Sequence, residues 1–329
     1  MKKFINKSAA ALCCATAVLL TACTSTPTPS FDTNRPWHDI SDSYERLTYE
    51  INIYNTEKGT IAEKRVKIAT GEAVFTLEEN VSTEDVARHT GLNMTWTVTY
   101  NDDADEKDRG LTDNIRSYVE WQTDSLVTAK VNKKVGLARR EGEEKNNSYE
   151  INADYFAKKA TRITFDKDGI EKQKTLSIPS GQYYDNEMMF YLARTSSISA
   201  NTAYPFFMTN LFDCFETGKV NAYTMYVSTE ADKITEHIGD WVKDFGIEKV
   251  TSDATGNEYY PVSCYDSSIS INAERHGPPY RVSYSAVPFV SGEKEHKKIP
   301  VRISYDSYRS GIVAMRTEYV LTGCSFDKE

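Results

Sequence analysis

Alternation of apolar and polar residues with a period of two runs through most of this chain. Leu47, Tyr49, Ile51 and Ile53 alternate with polar residues, and Met94, Trp96, Val98 and Tyr100 do so with a threonine at each position between. The pattern recurs at Val127, Ala129 and Val131, at Tyr149, Ile151, Ala153 and Tyr155, at Tyr223, Met225 and Val227, and at Ile299, Val301, Ile303 and Tyr305. A strand sends successive side chains to opposite faces, so this spacing predicts antiparallel strands with one buried and one wetted face. Turn chemistry separates the runs at Glu57-Lys58-Gly59, Asp166-Lys167-Asp168-Gly169, Thr255-Gly256-Asn257 and Gly277-Pro278-Pro279. Two polar stretches, Asn101 to Gly110 and Arg139 to Asn147, read as long exposed hairpin loops.

Two segments break the alternation. In Asp185 to Thr195, DNEMMFYLART, Asp185 suits an N-cap, and Tyr184, Met188, Tyr191 and Leu192 recur at helical spacing. In Glu230 to Phe245, Ile234, Ile238, Trp241, Val242 and Phe245 fall on one helical face, which predicts a second helix despite Gly239. Met188 to Leu192 is the densest apolar cluster after the N-terminal segment. It fits first a helix packed on the concave face of a sheet; the functional alternative is a helix that leaves a gap for an acyl chain lined by Met188, Met189, Tyr191 and Leu192, since methionine makes an adaptable apolar lining.

Charge and motifs exclude more than they identify. The net charge is −9, or −12 without Lys2, Lys3 and Lys7, which argues against nucleic acid, whose phosphates require clustered Lys and Arg. There is no nucleophile elbow, no H-E-x-x-H and no phosphate loop. The five histidines, His38, His89, His237, His276 and His296, form no local pair. The acidic run at Asn101 to Gly110 lacks the glycine and glutamate that a calcium loop requires. A non-enzymatic protein without cofactor or metal is therefore expected. The 21 tyrosines suit pleated, half-buried surfaces, and would also suit a sugar- or lipid-contacting face.

The first 22 residues read as a targeting segment. Lys2, Lys3 and Lys7 precede an apolar run from Ser8 to Leu20 that is too short for a membrane span of about 20 residues. Leu20-Thr21-Ala22-Cys23 resembles the lipobox of bacterial lipoproteins. That resemblance implies cleavage between Ala22 and Cys23, lipidation of the Cys23 thiol, and attachment to a membrane on the extracytoplasmic side of the cell envelope. Thr24 to Ser30, TSTPTPS, reads as a solvated tether. The expected organisation is a signal peptide at 1–22, lipidated cysteine and tether at 23–40, and one β-rich domain at 41–329 with a conceivable sub-boundary near 180. An exported compartment permits one disulfide among Cys214, Cys264 and Cys324, and Cys264 with Cys324 is the expected pair.

Asp185, Tyr191 and Arg194 reproduce a D…Y-x-x-R spacing that resembles an envelope family catalogued as a domain of unknown function. Lys298-Ile299-Pro300-Val301-Arg302-Ile303 followed by Gly311-Ile312-Val313 is similar to the closing strands of that family. The resemblance covers roughly Tyr44 to Gly323 and implies a half-barrel like those of the lipoprotein carriers LolA and LolB. The expected fold is thus mainly β: a large curved antiparallel sheet, as a half-barrel or a sandwich, packed on one or two α-helices. Two functions follow as expectations. The first is a membrane-anchored envelope lipoprotein binding a hydrophobic or lipid-like ligand in the curved sheet. The alternative is a structural or interaction lipoprotein that holds a protein or glycan partner at the cell surface.

Overall fold

The computed structural model describes residues 44–56, 65–79, 88–138, 148–165, 171–195, 204–252, 255–271, 280–309 and 312–328. Ala22, Cys23, the tether, the 139–147 loop and the glycine-proline turn before Tyr280 lie outside these residues. The first eight strands form a meander: β1 (Tyr44–Thr56), β2 (Arg65–Glu79), β3 (His89–Tyr100), β4 (Thr112–Gln122), β5 (Thr128–Gly136), β6 (Tyr149–Asp154), β7 (Lys159–Phe165) and β8 (Glu171–Ser177). β9 (Tyr184–Asp185) leads through a 3-10 turn at Asn186–Met188 into α1 (Met189–Thr195). β10 (Tyr204–Thr209), α2 (Leu211–Thr217) and β11 (Ala222–Glu236) follow, then the small hairpin of β12 (Val250–Thr251) and β13 (Glu258–Tyr259). β14 (Val262–Ile271), β15 (Tyr280–Ser285), a second small hairpin of β16 (Phe289–Ser291) and β17 (Lys294–His296), β18 (Pro300–Arg309) and β19 (Ile312–Ser325) complete the chain.

Fifteen of these strands make one sheet in the order β8-β7-β6-β5-β4-β3-β2-β1-β19-β18-β15-β14-β11-β10-β9. Every pairing is antiparallel except β9 with β10, and the sheet does not close into a barrel. The mainly β expectation holds, and segments on both sides of residue 180 share this one sheet. The period-two runs fall where the sequence places them. Leu47, Tyr49, Ile51 and Ile53 of β1 and Val301 and Ile303 of β18 are buried on the inner face. Full burial of such a side chain contributes about 1.5–3 kcal/mol. On the outer face Thr97 donates to Asn114 Oδ1 (3.0 Å) and Thr99 shares a hydrogen bond with Thr112 (3.0 Å).

The sheet is strongly curved, and α1 measures the curvature. Tyr191 packs at a tilt against Trp121 of β4 (ring centroids 4.5 Å), Thr128 of β5 donates to Met188 Sδ (3.2 Å), and Tyr284 of β15 donates to the Phe190 carbonyl (2.9 Å). β5 and β15 stand seven strand spacings apart, roughly 34 Å along the sheet at about 4.8 Å each. A seven-residue helix is only about 10 Å long, so the sheet must wrap round it. The curl brings β9, at one end of the sheet, back to β5, where Thr128 N–H donates to the Tyr183 carbonyl (2.9 Å) and Asp185 N–H to Thr128 Oγ1 (2.9 Å). Small residues make the bend feasible. Ala69, Gly71 and Ala73 form the inner face of β2, and a Cβ on Gly71 would sit 2.1 Å from the Thr97 carbonyl oxygen.

The predicted helix over Glu230 to Phe245 is corrected. Residues up to Glu236 belong to β11, and only Asp240–Phe245 is helical, as a 3-10 helix. Lys233 to Glu236 pair with Tyr265 to Val262 of β14, and Gly239 ends the extended run with φ of 121°. The ladder satisfies backbone groups that an isolated helix would have to satisfy by itself, and Ile234 points outward at 36% exposure. α2 was not foreseen, although Asn210 caps its start (side-chain oxygen to Asp213 N–H, 3.4 Å) and Gly218 closes it in the left-handed region.

Candidate ligand-binding site

Between α1 and the concave face lies a cavity of about 380 Å³, within the range of pockets for small ligands. One wall is apolar: Ile51 and Ile53 of β1, Phe75 of β2, Met94, Trp96 and Val98 of β3, and Ile115 of β4. Met189 and Phe190 of α1 face this wall. The adjoining wall carries Tyr280 of β15, Ile303 and Tyr305 of β18, and Met315, Thr317 and Tyr319 of β19, which pairs directly with β1. These positions line one space because they are the inward set of each strand and the sheet curls round them.

Aromatic rings order the tyrosine wall. Tyr280 packs on Tyr305 (5.2 Å) and edge-on to Phe190 (5.7 Å). Burial pushes the Tyr280 phenol up to about 12, helped by neighbouring Tyr305, and raises Tyr319 further, so both hydroxyls stay neutral. The charged lining groups gather near β4 and β5: Asp113, Lys133 and Glu187. Lys133 and Glu187 form an ion pair. Burial works against the Lys133 ammonium, but the charge and hydrogen bond of Glu187 outweigh it and raise its pKa. Asp113 accepts from the Ala138 N–H (2.8 Å).

The three residues of the D…Y-x-x-R spacing seat α1 on the sheet and do not line this cavity. Asp185 is 1% exposed and caps the entry to the helix, accepting from the Glu187 N–H (3.0 Å) and the Tyr155 hydroxyl (2.6 Å). Tyr191 packs at a tilt on Trp121. Arg194 makes a two-pronged ion pair with Glu45 of β1 (2.7 and 3.0 Å) and donates to the Lys297 carbonyl (3.2 Å). Of the four residues expected to line a ligand gap, Met189 does so; Met188, Tyr191 and Leu192 are buried against the sheet, at most 4% exposed. Phe190, which sequence reasoning passed over, lines the cavity. Among the described tyrosines, Tyr49, Tyr155, Tyr184, Tyr191 and Tyr284 are buried and so supply packing.

Burial, reinforced by the Glu187 charge, lifts the Asp185 carboxyl to about 7 against the opposing hydrogen bonds from Tyr155 and the Glu187 N–H. The folded protein therefore holds this proton more tightly than the unfolded chain, whose carboxyl titrates near its ordinary value of about 3.9. Stability from this group is fully present below about pH 4 and declines as pH rises through 7. Urea midpoints measured across that window are expected to fall for the natural protein relative to Asp185→Asn, which keeps an accepting oxygen but cannot ionise. Parallel curves would show that Asp185 is ionised throughout.

The expected Cys264–Cys324 bridge is not formed; Cys214, Cys264 and Cys324 are free thiols. Cys264 lies on β14 and Cys324 on β19, with β15 and β18 between them. Three strand spacings amount to roughly 14 Å along the sheet, whereas a disulfide requires Cα atoms within about 7 Å. Burial raises both thiols, Cys264 further assisted by Glu236 and Cys324 by Glu45, and so favours the unreactive protonated form.

Sequence reasoning also missed a buried polar cluster. His89 Nδ1 lies 2.7 Å from Glu120 Oε1, and Tyr118 donates to Glu120 Oε2 (3.0 Å). The partners are remote in sequence and meet only through the β3–β4 register, and they fasten the end of that hairpin away from the cavity. Among the described residues no group of three or more His, Cys, Asp or Glu is placed to hold a metal ion, and no helix is long and apolar enough to cross a membrane. Comparison of the chain with protein-family models, with curated proteins and with solved structures finds no match in any of the three.

Proposed function

We propose that this chain is a non-enzymatic envelope lipoprotein, anchored by lipid on Cys23, whose curved sheet takes up a hydrophobic, lipid-like ligand. The observation that carries the reading is the cavity of about 380 Å³ with its apolar wall of Ile51, Ile53, Phe75, Met94, Trp96, Val98 and Ile115. A sheet with the same inward residues and a tighter curl would bury them against one another. Here Arg194, Tyr191 and the Phe190 carbonyl fasten α1 to Glu45 of β1, Trp121 of β4 and Tyr284 of β15, and the cavity lies beside these contacts. An anchor at Cys23 would keep such a cavity beside a membrane, where lipid is concentrated.

The test is uptake of the uncharged probe N-phenyl-1-naphthylamine, together with native mass spectrometry of protein purified from membranes. Probe fluorescence is expected to rise on binding, and Val98→Trp, which fills the cavity, is expected to weaken binding at least about tenfold while the unfolding midpoint changes little. That loss corresponds to about 1.4 kcal/mol. Absence of both probe uptake and co-purified ligand would defeat the reading and leave the alternative of a partner-holding surface.

A further inference from the structure

The outer face of the sheet carries a second depression, of about 410 Å³, across β4 to β7. Lys133 points into the cavity, and its neighbour Asn132 points away from it into this depression. The strand register builds the floor. Tyr118 of β4 pairs with Asn132 of β5, Asn132 with Asn152 of β6, and Asn152 with Thr161 of β7. Four uncharged polar side chains therefore stand in a row at a spacing of about 4.8 Å. The Asn132 amide donates to Asn152 Oδ1, and the Asn152 amide to Glu150 Oε1 (3.1 Å). The Asn132 oxygen and the Thr161 hydroxyl have no partner among the described residues. Tyr118 lies across Gly91 of β3, where a Cβ would sit 2.9 Å from the phenol oxygen and 3.0 Å from Cε2. The missing side chain gives the ring room over that strand, and Glu120 Oε2 holds its hydroxyl (3.0 Å).

The next row along the strands supplies charge. Lys130 of β5 and Lys159 of β7 flank Asp154 of β6. Both lysines are exposed, and neither ammonium makes an ion pair or hydrogen bond among the described residues. Asp154 accepts instead from the Ala157 N–H (2.7 Å) in the β6–β7 turn. Glu120, opposite Lys130 on β4, is engaged by His89 and Tyr118. The lining thus sets two lysines against one carboxylate in a chain of net charge −9. No exposed large apolar side chain lines it, so it lacks the anchor on which a protein interface is built. A sugar acid matches what is present. Its ring has an apolar face for Tyr118, its hydroxyls suit amide and hydroxyl groups, and its carboxylate suits an ammonium. Lys130 and Lys159 are two strand spacings apart, roughly 10 Å, so each would take the carboxylate of a different sugar unit.

We propose that the outer face of β4 to β7 is a binding site for an acidic polysaccharide, a chain of uronic-acid units. One ring lies on Tyr118 with its hydroxyls on Asn132 and Thr161, and carboxylates along the chain pair with Lys130 and Lys159. This site is separate from the cavity and does not depend on the carrier reading.

Calorimetric titration of the purified protein at low ionic strength tests this with three ligands: tetragalacturonate, its full methyl ester, and tetraglutamate as an equally charged peptide. Tetragalacturonate is expected to bind at least about tenfold tighter than either of the others. Lys130→Gln and Lys159→Gln are each expected to weaken it roughly three- to fivefold and to reduce its sensitivity to salt. Asn132→Ala is expected to weaken it roughly three- to tenfold with the salt sensitivity retained. These side chains lie outside the core, so the unfolding midpoint and N-phenyl-1-naphthylamine uptake should match those of the natural protein in all three variants. Failure of tetragalacturonate to bind, equal binding of the ester or of tetraglutamate, or no response to the two glutamine substitutions would each overturn the proposal. None of these results bears on the cavity, whose own test is probe uptake.

Discussion

Replacing Arg194 with methionine is expected to lower the stability of the domain by about 3–5 kcal/mol, the cost of leaving one member of a buried ion pair without its partner. Arg194 and Glu45 are 5% and 7% exposed. Methionine fills most of the arginine's volume, so the loss reports the stranded Glu45 carboxylate and not a void. Lys298 donates to the Arg194 carbonyl (3.1 Å), a backbone contact that the substitution leaves in place. The measurement is the urea midpoint at an unchanged slope. Adding Glu45→Met is expected to recover most of the loss, because removing both charges removes the desolvation problem. A single variant within about 1 kcal/mol of the natural protein would show that the pair is not buried in solution. α1 would then be less firmly fixed over the cavity, and probe binding measured in the same variant would report that directly.

Replacing Cys23 with serine, with residues 1–22 exchanged for an ordinary cleavable secretory signal, is expected to move the protein from the membrane fraction to the soluble fraction. This follows from the proposed lipidation, because no other membrane-embedded element is needed to explain attachment. Each buried methylene of an acyl chain contributes about 0.8 kcal/mol, and a single chain gives only marginal binding, so the two chains of a diacylglycerol make the difference between attachment and release. Serine keeps the size of the side chain but lacks the thiol that carries the thioether. Labelled palmitate should be incorporated by the natural chain and not by the variant. Label on the variant, or retention of the variant in membranes, would refute Cys23 as the anchor.

Loss of the anchor is not expected to alter the folded domain. Probe binding by the Cys23→Ser protein should match that of the natural chain. This separates the proposed address of the protein from its proposed cargo, and supplies soluble material for the probe measurement.

Much of the architecture was legible in the residues. The alternation at Leu47 to Ile53 and Met94 to Tyr100 assigned strands and their inward faces, because the strand period is a property of the backbone and needs no knowledge of neighbours. Asp185 marked a helix start for an equally local reason: its side chain accepts the Glu187 N–H two residues on. The loop at Asn101 to Gly110 joins β3 to β4 as expected, with the Tyr100 N–H donating to the Leu111 carbonyl (3.0 Å).

What the sequence could not supply depends on curvature and on partners far away. Segment 230–236 fits one helical face and also fits a strand; pairing with β14 decides it. Cys264 and Cys324 are compatible with a bridge until the strand order puts two strands between them. The cavity faces Met189 and Phe190 and not Met188 or Leu192, because the rotation of α1 is set by Glu45, 149 positions from Arg194, and by Tyr284, 94 positions from Phe190. Local periodicity therefore determined which side chains point inward, while the tertiary structure alone decided how tightly the sheet curls around them and where it leaves space.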